Sequence, residues 1–184
     1  AQAIHQRRFA VYPPPKEEFL SLARQGNIIP VFREVTADTD TPISLFKKVA
    51  QGPESFLLES VEGGERWGRY SFIGYRPRLL LKARGDDIEL IRNGEQCGKF
   101  KASPLDYLKN LMETFRAVPI EGLPRFFGGL VGYLSYDIVR FIEHLPTFKP
   151  DEVGMPDAAF MMPEQVMIYD NLTQTIKVLA NIYV

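Results

Sequence analysis

Short apolar runs bounded by glycine, proline, asparagine and aspartate dominate the chain, and three stretches carry helical spacing instead. The strand-like runs fall at Ile28 to Val35, Phe56 to Val61, Tyr70 to Gly74, Arg78 to Ala83, Asp87 to Arg92, Gln96 to Phe100, Ala158 to Tyr169 and Thr173 to Tyr183. Asn93-Gly94 joins two of these as a hairpin turn, since both residues accept positive φ. Asp170-Asn171 joins the last two. Helical spacing runs from Lys16 to Gln25, from Pro42 to about Gln51 with Thr41 as its cap, and from Pro104 to Phe115 with Ser103 as its cap. Ile43, Phe46 and Val49 mark the buried side of the second, and Leu105, Leu108, Leu111, Met112 and Phe115 that of the third. The pattern predicts an α+β fold, mainly antiparallel sheet with helices packed on one face.

Two runs depart from ordinary strand composition. Phe126 to Tyr136, FFGGLVGYLSY, holds three glycines in an apolar context, which points to close approach of another backbone or a bulky ring. Ser55 to Gly74, SFLLESVEGGERWGRYSFIG, breaks at Gly63-Gly64 and crosses a charged loop that carries the lone tryptophan. Alternation along its first strand sets Leu57, Glu59 and Val61 on one face. A carboxylate between apolar neighbours needs a cation or donors, because burying it alone costs several kcal/mol. Arg66 and Arg69 are the nearest in sequence. One reading is a Glu–Arg pair that stitches neighbouring strands. The other is a pocket in which the carboxylate receives an ammonium group, an arginine receives a carboxylate and Ser60 donates a hydrogen bond, a set that suits a free amino acid.

Leu57-Leu58-Glu59-Ser60 followed by Gly68-Arg69-Tyr70-Ser71-Phe72-Ile73-Gly74 resembles the N-terminal domain of anthranilate synthase component I, and the Gly128-to-Tyr133 segment with Tyr136-Asp137 resembles a structural signature of the same family. The resemblance implies that Glu59 and Ser60 contact tryptophan as a feedback inhibitor, with Arg69 and Tyr70 beside them. It further implies a catalytic C-terminal domain that uses chorismate and Mg, a glutamine amidotransferase subunit as partner, and a fold of which this chain forms one incomplete half of two orthogonally packed sheets. No catalytic residue matches here. Residues 1–15 read as an N-terminal arm, 16–184 as the regulatory domain, and the end at Val184, inside an apolar run, as a truncation. Two other readings stay open: the corresponding domain of aminodeoxychorismate synthase, and a stand-alone amino-acid-binding module.

Composition narrows the field. The formal charge is -1 and the basic residues are scattered, so nothing favours nucleic acid. Cys97 cannot form an internal disulfide by itself, which fits a reducing compartment, and the polar N-terminus is no secretory signal, so a cytoplasmic location is expected. His5 and His144 have no metal-ligand spacing. Gly63-Gly64 lacks the lysine and the strand–turn–helix order of a phosphate loop, and neither a Ser–His–Asp nor a Cys–His context occurs.

Overall fold

A computed structural model describes residues 11–12, 14–50, 52–59, 68–146 and 151–184. Nine strands form one antiparallel sheet: β1 (Val11–Tyr12), β2 (Ile28–Thr36), β3 (Phe56–Glu59), β4 (Tyr70–Arg84), β5 (Asp87–Arg92), β6 (Glu95–Lys101), β7 (Val131–Leu134), β8 (Ala158–Asp170) and β9 (Thr175–Tyr183). Three helices, α1 (Lys16–Leu22), α2 (Pro42–Val49) and α3 (Pro104–Glu113), and a short 3-10 helix at Tyr136–Phe141 complete the described elements. The strand order is β1-β2-β9-β8-β4-β5-β6, with β3 added to β4 and β7 added to β8.

The long pair β4 and β8 forms the spine. Tyr70 to Gly74 and Arg78 to Ala83, expected as separate runs, are one strand of 15 residues. It survives Pro77 through a bulge: Arg76 adopts φ 51°, and the register against β8 slips by one residue between Pro77 and Leu79. Pro77 faces Pro163 there, so two residues without N–H groups meet where ladder bonding is already interrupted.

That slip also distributes the helices. Alternation along β8 puts Met167 and Tyr169 on one face, where they pack with Ile73, Ile176 and the α2 residues Leu45 and Phe46. Val166 and Ile168 lie on the other face with Phe32, Leu179 and Phe127. Ala158 and Phe160 share this second face, packing with Leu81, Ala83 and Leu105, Leu108 and Leu111 of α3. Because one extra residue turns the odd-numbered side chains of β4 over, Ile73 meets α2 whereas Leu81 meets α3. The antiparallel α+β architecture stands, but α2 covers one face and α3 the other rather than both lying on one.

Local chemistry accounts for the ends. Thr41 Oγ1 accepts from Ser44 N at 3.2 Å while Ser44 Oγ accepts from Thr41 N at 3.0 Å, a reciprocal cap on α2. Ser103 caps α3 in one direction only, through Asp106 N at 3.4 Å. Leu45 is the buried residue of α2; Ile43, expected inside, is 52% exposed at the first turn. Asn93 and Gly94 take φ 53° and 81° in the β5–β6 turn. The glycine-rich run resolves into a loop followed by β7. A Cβ on Gly132 would sit 1.9 Å from the Ala159 carbonyl oxygen, so the close backbone approach read from the sequence holds at that position.

Candidate functional site

Glu59 ends β3, the short strand added to β4. Its cross-strand partner is Ser71, Ser71 pairs with Tyr169, and Tyr169 with Ile176, which makes one row across four strands on the α2 face. Ser71 and Tyr169 are buried, and Glu59 at the edge is exposed. Its carboxylate makes no hydrogen bond or ion pair with another described residue. Ser60, the Gly63-Gly64 break, Arg66 and Trp67 lie outside the described residues.

Arg69 is not the partner of Glu59. Its guanidinium grips Asp170 from the far end of β8, with Nη2 donating to Oδ2 at 2.9 Å and Nε to Oδ2 at 3.1 Å. The Asp170 side chain is 4% exposed and that of Arg69 52%. Burial pushes the Asp170 carboxyl up, but Arg69 and the backbone N–H groups of Leu172 and Thr173 outweigh it and hold the group below the usual aspartate range. The guanidinium also lies 4.9 Å from the centre of the Tyr70 ring. Asn171 adds a second tie, donating from Nδ2 to the Gly68 carbonyl at 3.1 Å. The start of β4 is thus clamped to the β8–β9 turn.

The three described residues of the four implicated by sequence separate accordingly. Tyr70 pairs with Asp170, so it faces away from Glu59 and Ser71. Asp170 and Asn171, read from sequence only as a turn, prove to be the polar anchors of this end. No local pattern signals them, because their partners lie about a hundred residues earlier.

Two cavities occur where the spine strands change partners. On its outer side β4 pairs with β3 up to Gly74 and with β5 from Leu80, leaving residues 75–79 without a strand there. A cavity of about 430 Å³ sits at this fork, lined by Lys48, Glu54, Ser55, Arg76 and Gln165 among others. On its outer side β8 pairs with β7 up to Met161 and with β9 from Gln165, leaving residues 162–164 open. A cavity of about 350 Å³ sits at that fork, lined chiefly by Phe115, Phe127, Met162 and Tyr183, with Arg125 and Asn181. Neither cavity is lined by Glu59, Arg69 or Tyr70. Among the described residues no group of His, Cys, Asp and Glu could hold a metal ion, and no helix is long and apolar enough to cross a membrane.

No family model matches the chain. It is 42% identical over 175 residues to anthranilate synthase component 1 of Acetivibrio thermocellus, covering 95% of this chain and 35% of that protein. It is 44% identical over 161 residues to the Pseudomonas aeruginosa protein of the same name, covering 85% of this chain and 33% of that one. The crystal structure of anthranilate synthase component I from Streptococcus pneumoniae matches with a TM-score of 0.50 at 26% identity, over 79% of this chain and 31% of that one. The chain spans about a third of the length of these relatives.

Proposed function

We propose, for a chain that belongs as a part to anthranilate synthase component I, that it is the tryptophan-sensing portion of that enzyme. What supports this reading is identity of 42% along nearly the whole chain, joined to an exposed Glu59 with no described partner at the edge of the sheet. Glu59 offers its carboxylate to the amino group of tryptophan and Ser60 a hydroxyl, with Arg69 and Tyr70 nearby as the buttress that fixes the start of β4. Since Asp170 already holds Arg69, its role is to keep the strand in place while its exposed edge attracts a carboxylate.

The rest of the enzyme supplies the chemistry: a lyase in the cytoplasm that forms anthranilate from chorismate and glutamine-derived ammonia, with Mg bound there and an amidotransferase subunit alongside. This chain alone is inactive. Tryptophan regulates by binding the inactive arrangement more tightly than the active one.

In the complete enzyme, Glu59→Gln raises the tryptophan concentration for half-inhibition by about tenfold, the loss of one charge-assisted bond, while uninhibited turnover stays within about twofold. Steady-state rates against tryptophan measure both. Unchanged inhibition in this variant overturns the assignment of Glu59.

A further inference from the structure

The apolar fork has the composition of a ligand site rather than of a packing defect. Its volume of about 350 Å³ lies at the lower end of the range for small-molecule pockets, about 300–1,000 Å³. The rings of Phe115, Phe127 and Tyr183 and the thioether of Met162 form its body. Arg125 is the charged side chain among its lining residues, and it makes no ion pair with another described residue.

Asn181 gives the cavity its second polar feature. The residue is 2% exposed, and its Nδ2 donates to the Phe127 carbonyl at 3.0 Å, which fixes the orientation of the amide. Its Oδ1 is the buried side-chain polar atom left without a partner among the described residues. Cross-strand from it stands Pro30, which has no N–H to offer. An unsatisfied buried acceptor costs about 1–3 kcal/mol, and an incoming donor recovers it. On the other side of the amide stands Gly128, where a Cβ would lie 2.5 Å from Nδ2, so only glycine lets the amide sit there.

We propose that this cavity binds a small aromatic carboxylic acid bearing an N–H or O–H donor. The ring enters among the aromatic side chains, the donor satisfies Asn181 Oδ1, and the carboxylate meets Arg125 at the rim. Since Oδ1 is closed off in the ligand-free chain, binding includes a small opening of the Gly128-Gly129 wall, where no side chain stands in the way. The site lies toward the opposite end of β9 from the row that contains Glu59 and does not rest on the tryptophan reading.

The test is a TROSY NMR titration of the complete, isotopically labelled enzyme that contains this chain with 4-hydroxyphenylacetate, phenylacetate and 4-cresol. The first is expected to shift the Asn181 side-chain amide and the backbone amides of Phe127 and Gly128 saturably at millimolar concentration. Phenylacetate, lacking the donor, and 4-cresol, lacking the carboxylate, each bind about fivefold more weakly. Arg125→Gln, at an exposed position that leaves the fold intact, removes the advantage over 4-cresol and leaves 4-cresol binding unchanged. Equal binding of phenylacetate and 4-hydroxyphenylacetate overturns the role of Asn181. Absence of saturable shifts, or shifts centred on the β4 fork, overturns the site.

Discussion

The fork on β4 and the fork on β8 share one cause, a long strand flanked on its outer side by two short partners, yet they hold opposite chemistry. The first is walled by Lys48, Glu54, Ser55, Arg76 and Gln165, groups that water can satisfy. The second is walled by aromatic rings and hides an acceptor that water does not reach. A gap in strand pairing therefore creates concavity, while the side chains at the gap decide whether it is a solvated notch or a pocket with specificity to offer. The walls also differ in stiffness. Beside the β4 fork a Cβ on Gly74 would meet the Phe56 ring; beside the β8 fork one on Gly132 would meet the backbone of Ala159.

That difference gives the largest expected effect. Gly132→Ala puts a methyl 1.9 Å from a carbonyl oxygen and 2.7 Å from the Phe160 Cα, neither of which can rotate away. The variant loses about 3 kcal/mol and detaches β7, opening the apolar fork. Gly74→Ala meets the Phe56 ring at 2.1 Å, and a ring can turn aside, so its cost is about 1 kcal/mol. Urea unfolding ranks the two, and hydrogen exchange at β7 locates the first. If the Gly74 variant is the less stable one, the contrast between a rigid and a yielding wall is wrong.

Much of this was legible in the sequence, but only where the signal is local. Thr41, Ser103 and Asn93-Gly94 declare caps and a turn through their own backbone preferences, and the glycine run announced the contact that Gly132 makes. The forks were not legible, because a fork is a relation between registers of strands far apart. Arg76-Pro77 reads as a break, and only the bulge opposite Pro163 shows it to be the middle of β4. The candidate site was less legible. Alternation set Glu59 between apolar neighbours, yet it stands exposed at the sheet edge, and Arg69 belongs to Asp170, a partner 101 residues away that no spacing rule could nominate.

A smaller effect is read by pH at the apolar fork. Burial pushes the Tyr183 hydroxyl up to about 12 from its ordinary 10.0. The folded phenol thus stays neutral where the unfolded one ionises, so stability is whole below pH 10 and falls as pH rises from 10 to 12. A shift of this size is worth about 2 kcal/mol after discount for partial exposure. Tyr183→Phe flattens the alkaline limb of the urea midpoint by that amount, and an unchanged limb refutes burial of the hydroxyl at this fork.

The smallest effect concerns the helices beside each cavity. Lys48 and Val49, at the end of α2, line the polar fork, whereas Met112, near the end of α3, lines the apolar one. The α2 cap satisfies donors in both directions, with bonds of 3.0 and 3.2 Å, and the α3 cap satisfies one at 3.4 Å. Thr41→Ala frees the Ser44 N–H and breaks one half of the reciprocal pair, and should cost about 1 kcal/mol, while Ser103→Ala frees one weakly held donor and should cost about 0.5 kcal/mol. Thr41 is exposed and Ser103 half-buried, and neither belongs to a core cluster, so the difference between their unfolding midpoints reports capping. Equal losses would mean that the reciprocal bond adds nothing, and that the polar fork owes its walls to the packing of Leu45 rather than to the way α2 begins.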